Sequence, residues 1–551
     1  MKHRADYRLL SRQLELMRLL RIGEQQAVLI QAVLMGLAGA CAALLFEVAT
    51  TAVQGICTGD WLHGRVACFA ELPPWVRLLL PCLGAVVAAL PLLMALRVDK
   101  RRIPDYMEAF SLGNGRLPRR QGLLRSLSAV LSLGTGACIG KEGALMQIAA
   151  VAASAAGRWL HVSPHRLRLM VGCGAAAGMT AAFHTPLAAC LFVSEVVVGS
   201  LSIGYLAPVL VASCAAYALV WCMGESAALL PCAAGVMTAR DLLLCAVAAA
   251  LLAPLGKLWV AWLGYARRVL SGKPAWLALR MAAAGLLVGA VAVYQPAIVG
   301  NGQEAMAALL ADALALPEAA ALWGLKALLV GIVFGVGTMG GVLTPTLMLG
   351  CFGGWVFGSL CGAESPAAFA MVGMAAFFTA AARTPVTALL LAVELSMNAS
   401  LIFPLMAAVA VAYGLSRYLP GHSLYDSAHS GDLPQLTVGD IMMSPPAQLH
   451  ESAGASRIAH AALHHPHLPI PVVDARGNYI GLRLPGEALR ELPALAPADS
   501  LSEALQQFTR VPQENYLAVV QGGRVAGLIS RTELYQTMAL LFRRELAAKR
   551  R

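Results

Sequence analysis

The chain has 551 residues, of which 58% are hydrophobic and 13% charged. A water-soluble domain carries about a quarter charged residues, so a soluble globular fold is excluded for most of the length and a bilayer is the expected solvent. The formal net charge of +11 is explained by basic clusters beside apolar segments and calls for no nucleic-acid partner.

The first stretch, MKHRADYRLLSRQLELMRLLRIGE at Met1–Glu24, is too charged for the apolar core of a signal peptide. It reads as a basic amphipathic helix lying on a membrane surface. Long uncharged runs follow, among them Ala27–Phe46, Leu78–Leu96, Leu201–Gly224 and Leu328–Ala363. Each approaches or exceeds the roughly 20 residues that cross a bilayer, and their many Gly and Ala residues suit close helix contact in lipid. Basic residues gather in 1–24 and again in 97–125, whereas the loop 54–74 is nearly neutral. The positive-inside rule therefore places the N-terminus and the 97–125 segment in the cytoplasm. Of 13 cysteines, eleven lie in or beside apolar segments, where Cys acts as a small hydrophobe, and no CxxC occurs. Cys57 and Cys68 share the 54–74 loop. A disulfide and two free thiols are equally open there.

Hydrophobicity falls after about residue 430, which divides the chain into a surface helix (1–24), an all-α polytopic membrane domain (25–430) and a small α/β cytoplasmic domain (431–551). The membrane domain repeats itself. TAAFHTPLAACLFVSE at 180–195 superposes on TAAARTPVTALLLAVE at 379–394 with an offset of 199. Upstream, GTGACIGKEGALM at 134–146 matches GVGTMGGVLTPTL at 335–347 with an offset near 201. Shared Ala/Gly bias accounts for the alanines but not for the aligned Thr-Pro and Glu. Two halves, about 25–225 and 226–430, each carrying Gly/Pro-interrupted apolar segments, are the signature of an inverted-repeat transporter with its site at the repeat interface.

The glycines at 134, 136 and 140 make Gly134–Gly143 a loop, and the following ALMQIAAVAASAAG a helix. A glycine turn entering a helix leaves unpaired N–H groups at the positive end of a dipole, which is an anion site. Gly340-Gly341-Val342-Leu343-Thr344-Pro345 repeats the arrangement, with Pro345 in the first helical turn, where its missing N–H costs nothing. If the halves are inverted, both starts face one site, and partial charges there bind an ion firmly enough to admit it and weakly enough to release it. Glu142 stands between two glycines in the first turn. Two readings of it stand level: a tethered competitor that blocks the anion site when ionised and leaves when protonated, or a helix-start carboxylate complementing the dipole at the membrane surface.

These motifs resemble the CLC chloride channel and transporter family. GKEGA at 140–144 is similar to its GREGP-type motif, Gly340–Pro345 to its GGIFAP motif, and HTPLAACLFVSEV at 184–196 to its NAPLAGILFIIEE stretch, while Ser423-Leu424-Tyr425 lies where the family carries its pore tyrosine. The likeness spans about residues 25–430, and DYMEAF with the GKEGA form resembles the bacterial ClcB-type subgroup. The resemblance implies that Glu142 is the external gating glutamate. It further implies that backbone N–H groups of Lys141, Glu142 and Gly143 line the outer anion site, and that Val342, Leu343 and Thr344 with the Tyr425 hydroxyl hold the central ion. Arg125 would raise the local potential, and the protein would form a homodimer with one chloride pore per subunit.

Two departures stand out. The family's GSGIP loop falls on Lys100-Arg101-Arg102-Ile103-Pro104, so Arg101 replaces the ion-coordinating serine; it either collects anions at the cytoplasmic mouth or snorkels as a surface charge. The internal proton-relay glutamate of coupled members is Val196 here; its neighbour Glu195 points about 100° round the helix, and the repeat partner Glu394 argues for a structural role of both. Passive, voltage-gated chloride conduction is thus expected ahead of chloride/proton antiport.

The tail carries two similar segments, HLPIPVVDARGNYIGLRL at 467–484 and NYLAVVQGGRVAGLISRTEL at 515–534. Each reads as strand, Gly turn, strand, helix, and together they resemble a CBS-domain pair. Ser530 and Glu533 match that family's phosphate and ribose contacts; Leu484 breaks the match in the first segment, so nucleotide binding is doubtful and no other cofactor is expected. Histidines 450, 460, 464, 465 and 467 lack regular metal-ligand spacing. An intramembrane enzyme would need a nucleophile beside a base such as His184, and no such motif occurs. A nucleotide sensor that does not transport is the remaining competitor.

Overall fold

A computed structural model of the chain describes residues 24–61, 63–98, 106–111, 115–160, 162, 164–198, 203–224, 228–232, 238–425, 436–443, 448–454, 458, 469–484, 488–535 and 537–538. The surface helix expected at 1–24 and the Lys100–Pro104 loop with Arg101 lie outside these residues, apart from Glu24. The chain divides into two compact units, 1–107 with 117–160 and 169–429, and 108–116 with 161–168 and 430–551.

In the first unit, α1 (Glu24–Thr58), α2 (Arg65–Glu71), α3 (Pro74–Val98), α4 (Tyr106–Ser111), α5 (Arg119–Gly134), α6 (Glu142–Trp159), α7 (Pro164–Phe183), α8 (Pro186–Phe192) and α9 (Ile203–Cys222) make the first half, the 108–111 part of α4 and the 164–168 part of α7 falling in the second unit. The second half comprises α10 (Ala239–Leu270), α11 (Leu277–Tyr294), α12 (Gln303–Leu310), α13 (Leu316–Gly335), α14 (Leu343–Leu360), α15 (Pro366–Ala382), α16 (Pro385–Ser396) and α17 (Ile402–Tyr418). Eight helices among the described residues are long and apolar enough to cross a membrane. The apolar run Leu328–Ala363 is two helices: Gly335 closes α13 and Leu343 opens α14, with the glycine turn between them. In the first half the corresponding loop is shorter than its glycines suggest. Gly134 remains in α5, because any Cβ there would press on Val53 and the Thr50 carbonyl of α1, and Glu142 already opens α6.

The sequence repeat is also a conformational repeat. Gly136 and Gly337 have φ of 96° and 98°, and His184 and Arg383, both left-handed at the ends of α7 and α15, have 57° and 59°. The Thr of each Thr-Pro sits at φ −121°, ψ 80° (Thr185) and φ −119°, ψ 78° (Thr384), with Pro opening the next helix. Left-handed backbone at a non-glycine residue is uncommon, so its recurrence at matched positions reflects a shared fold rather than shared composition. The core is made largely of small residues: Ala149, Ala153, Ala176, Ala177, Ala370 and Ala376 are fully buried, which lets helix backbones approach closely.

The second unit holds two small sheets. One has the order β1 (Leu449–His450), β2 (Ile470–Val473), β3 (Tyr479–Arg483), β4 (Leu489–Arg490); the other β5 (Ala494–Leu495), β6 (Tyr516–Gln521), β7 (Arg524–Ser530). Both begin with a parallel pair and continue with an antiparallel hairpin, and both hairpins slip register, at Val472/Val473 and at Val519/Val520. Leu501, Ala504 and Phe508 of the helix Leu501–Arg510 pack on Leu517, Val519 and Ile529, and Leu482 of the first sheet meets Ala518 and Leu528 of the second.

Two exposed carboxylates fix turns of this unit. Asp474 is held below the usual carboxylate range by the Asn478 backbone N–H first, then by Asn478's side chain and the N–H groups of Arg476 and Gly477. Glu503 is lowered by the Ser500 backbone N–H and hydroxyl in a capping box. A carboxylate with a depressed folded value contributes stability above its unfolded pKa, about 4, and loses it as pH falls through the folded one. The segment 431–551, expressed alone, is therefore expected to show a urea midpoint that is flat above about pH 5 and declines below about pH 4. Asp474→Asn should make the decline shallower, as followed by far-ultraviolet circular dichroism.

Candidate functional site

The two glycine turns meet. Gly140 N–H donates to the Gly341 carbonyl and Gly341 N–H to the Gly140 carbonyl, each at 2.7 Å. These are repeat-equivalent residues, so the exchange is that of a local two-fold axis between antiparallel backbone segments. Only glycine fits. A Cβ on Gly140 would stand 2.7 Å from the Gly341 carbonyl oxygen and strike Glu142 Oε2; one on Gly341 would stand 2.7 Å from the Gly143 nitrogen.

The bridge sets the starts of α6 and α14 side by side. Glu142 and Gly143 occupy the first turn of α6, with Lys141 at the N-cap; Leu343 opens α14, with Val342 at its N-cap. First-turn N–H groups have no intrahelical acceptor. The structure thus brings together the backbone of Lys141, Glu142, Gly143, Val342, Leu343 and Thr344, the set expected to bind anions. Lys141 contributes only its backbone there, because its ammonium pairs with Glu47 of α1 at 2.5 Å.

Glu142 is 1% exposed and its carboxylate lies across the junction. Oε1 accepts from the Thr344 hydroxyl and, at 3.3 Å, from Asn301 Nδ2, whereas Oε2 is buried with no hydrogen-bond partner among the described residues. The surface reading of Glu142 is thereby set aside: the side chain is inside the protein. Tyr425 is held by its neighbours, since Leu424 N–H donates to the Ala381 carbonyl and Ser423 Oγ to the Ala382 carbonyl. Its ring meets Phe192 edge-on at 5.2 Å, and it lies within electrostatic range of Glu142. Arg125 of α5 reaches Met339, just before the second glycine pair, with Nε 3.4 Å from Sδ and Nη1 buried without a partner among the described residues.

Glu195 and Glu394 are spent elsewhere. Glu195 accepts from the Val386 and Thr387 N–H groups at 3.3 and 2.9 Å and from the Thr387 hydroxyl, capping α16. Glu394, on α16, accepts from Leu187 and Ala188 N–H at 3.0 and 2.7 Å, capping α8. Each half thus caps the other's helix. Val196 follows on a short π-helical stretch, Val193–Val198, and brings no titratable group. In the second unit Glu533 pairs with Arg168 at 2.9 Å, so one of the two nucleotide-contact candidates is engaged; Ser530 ends β7, its backbone paired with Tyr516, and Leu484 follows β3. Cys57 and Cys68 are free thiols, with Cys68 Sγ accepting from Gln54 Nε2. No cluster of potential metal ligands occurs among the described residues.

Asn301 and Lys326 were not singled out from sequence. Lys326 is an ammonium in the apolar span of α13, fully buried, donating to the Ile298 and Gly300 carbonyls at 2.7 and 2.9 Å. The rule that flagged Glu142, that an ionisable group among apolar residues of a span is functional by default, applies to it equally. Asn301 carried no such signal.

A sequence profile of the family described as voltage gated chloride channel matches residues 83–417. A putative chloride channel protein of the ClcB-like type from Ralstonia nicotianae is 33% identical over 424 residues, covering 72% of this chain and 95% of its own. A voltage-gated ClC-type chloride channel, ClcB, from Escherichia coli O81 is 31% identical over 413 residues, with 72% and 97% covered. Among solved structures, a slow cyanobacterial Cl−/H+ antiporter aligns with a TM-score of 0.63 at 21% identity over 73% of this chain and 96% of its own. A eukaryotic CLC transporter aligns with a TM-score of 0.59 at 18% identity over 94% and 98%.

Gly140→Ala is expected to break the bridge and cost on the order of 2–3 kcal/mol, two backbone hydrogen bonds plus the displaced Glu142. A lower unfolding temperature in detergent and reduced chloride flux in liposomes would register it; a variant with wild-type stability and flux would contradict the central role of the bridge. The paired helix starts, the buried carboxylate between them and these relationships lead to one conclusion: the chain belongs to the voltage-gated chloride channel (CLC) family, an integral membrane protein built for anion transport.

Proposed function

We propose that the protein conducts chloride passively, gated by Glu142, and does not exchange it for protons. The observation carrying this reading is the seat of Glu142. A free anion at the junction of α6 and α14 would need the donors that the ionised carboxylate takes, so the side chain competes with the ion. Protonation removes its charge and its claim on those donors. Delivery of protons across the membrane needs a second titratable station or an ordered water wire. Val196 offers none, and Glu195 is committed to the start of α16. The central ion would rest on the amides of Val342 and Leu343, the Thr344 hydroxyl and Tyr425, with Arg125 raising the potential nearby.

The same reading makes the protein a homodimer of independent pores in a bacterial inner membrane, with both termini cytoplasmic and the tail a CBS-type pair. The two sheets of the tail, each a parallel pair continued by an antiparallel hairpin, support the last point. With Leu484 in place of a hydroxyl residue and Glu533 paired to Arg168, the tail is expected to bind ATP weakly or not at all. Calorimetry of the full chain that shows tight binding would overturn that.

Antiport is the second reading, because two solved structures of the same fold are a Cl−/H+ antiporter and a CLC-type fluoride/proton antiporter. A chloride gradient imposed on proteoliposomes at a potential fixed by potassium and valinomycin separates the two. The expected result is chloride flux without uphill proton movement, and a flux in Glu142→Gln that no longer depends on pH. Sustained uphill proton pumping, abolished in Glu142→Gln, would establish exchange instead.

A further inference from the structure

The donor that Asn301 supplies to Glu142 is built with care. Asn301 lies between Gly300 and Gly302, whose φ values of 69° and 98° are left-handed, a conformation that glycine adopts without strain. The loop leading into it, Pro296–Gly300, is clamped from below by Lys326. The fully buried ammonium takes the Ile298 and Gly300 carbonyls, and it lies beside the Cys138 thiol of the first glycine turn. One cation therefore ties the Asn301 loop to the turn that carries Glu142.

The amide of Asn301 has a defined orientation. Its Oδ1 accepts from the Gln303 N–H at 3.2 Å at the start of α12. The opposite end, Nδ2, an obligate donor, then faces Glu142 Oε1 at 3.3 Å. Asn301 is 8% exposed. Thr344 donates to the same oxygen, so both side-chain donors to the carboxylate come from the second half of the chain and neither from α6 itself. Oε2 faces the Gly140–Gly341 backbone without a donor.

We propose that Asn301 is a positioning residue for the gate: a latch, fixed by the Lys326-clamped glycine loop, that holds the Glu142 carboxylate in its blocking position and so sets how much chloride is needed to displace it. The inference rests on Glu142 acting as the gate. The latch strengthens the tethered competitor, not the free ion. Losing it shifts the competition toward chloride, with no new contact made to the ion.

The test measures chloride flux in proteoliposomes against chloride concentration for Asn301→Leu and Asn301→Ser, each alone and combined with Glu142→Ala. Serine keeps a hydroxyl acceptor for the Gln303 N–H but is too short to reach Glu142, so the turn survives if leucine disturbs it. Both single variants are expected to lower the half-saturating chloride concentration about three- to tenfold, the loss of one charge-assisted hydrogen bond of modest geometry. In the Glu142→Ala background the same substitutions are expected to make no further difference. A residue that merely shapes the loop would alter flux alike in both backgrounds. Unaltered chloride dependence in Asn301→Ser, or an equal effect with and without Glu142, overturns the latch while leaving the gate intact. Glu142→Ala with wild-type chloride dependence overturns the gate and the latch together.

Discussion

Two backbone hydrogen bonds, exchanged between Gly140 and Gly341, hold the site together. Helix starts in a membrane interior are exposed positive poles, and two of them placed side by side repel unless something fixes their distance and offers negative charge. The glycine bridge does the first. The Glu142 carboxylate, buried between them, does the second. Because the bridged residues are equivalent by the internal repeat, the contact lies on the local two-fold axis, and a displacement of one helix start is transmitted to the other. On the proposed anion-site reading, partial charges from amides rather than a fixed cation would keep the grip on an ion modest. Two lysines of the region are directed elsewhere: Lys141 to Glu47 and Lys326 to two carbonyls.

The same geometry explains why Glu142 is held differently from the repeat-matched pair Glu195 and Glu394. Glu142, Glu195 and Glu394 all accept hydrogen bonds. Glu195 and Glu394 use both oxygens on the first-turn N–H groups of α16 and α8. Glu142 uses one oxygen, on side chains, and leaves the other bare. A fully used carboxylate is structural and costly to move. Glu142, with one oxygen engaged by side chains, is not anchored to a helix start in that way.

Much of this was legible in the sequence because membrane folds announce themselves through long-period signals. Offsets of 199 and about 201 between separated motifs located both helix starts. The Thr-Pro pairs marked where α8 and α16 begin, and Glu142 was conspicuous as a charge between glycines. The extent of the first glycine turn was misjudged, since Gly134 stays helical where α1 packs against it; tertiary contact outweighs a glycine's cost of about 1 kcal/mol in a helix. Asn301 was invisible. Its role depends on a loop folded over 159 residues of intervening chain, and a Gly-Asn-Gly triplet is common turn chemistry. Reciprocal capping by Glu195 and Glu394 could be anticipated as a structural role but not as a swap between halves, because sequence offsets carry no information about which partner a carboxylate reaches.

That swap bears on how such a chain can arise. Each half contains an unfilled helix start and a carboxylate able to fill one, yet the carboxylate reaches only the start on the other half. A lone half would leave both unmet inside a hydrocarbon medium, where each unsatisfied group costs several kcal/mol. Two copies related by a two-fold axis would satisfy both at once, as they would satisfy the glycine exchange. The duplicated architecture therefore carries the geometry of two like chains related by a two-fold axis. Its two halves remain bound to one another's sequence: a loss at Glu195 is felt at α16, and a loss at Glu394 at α8, each in the repeat that did not change.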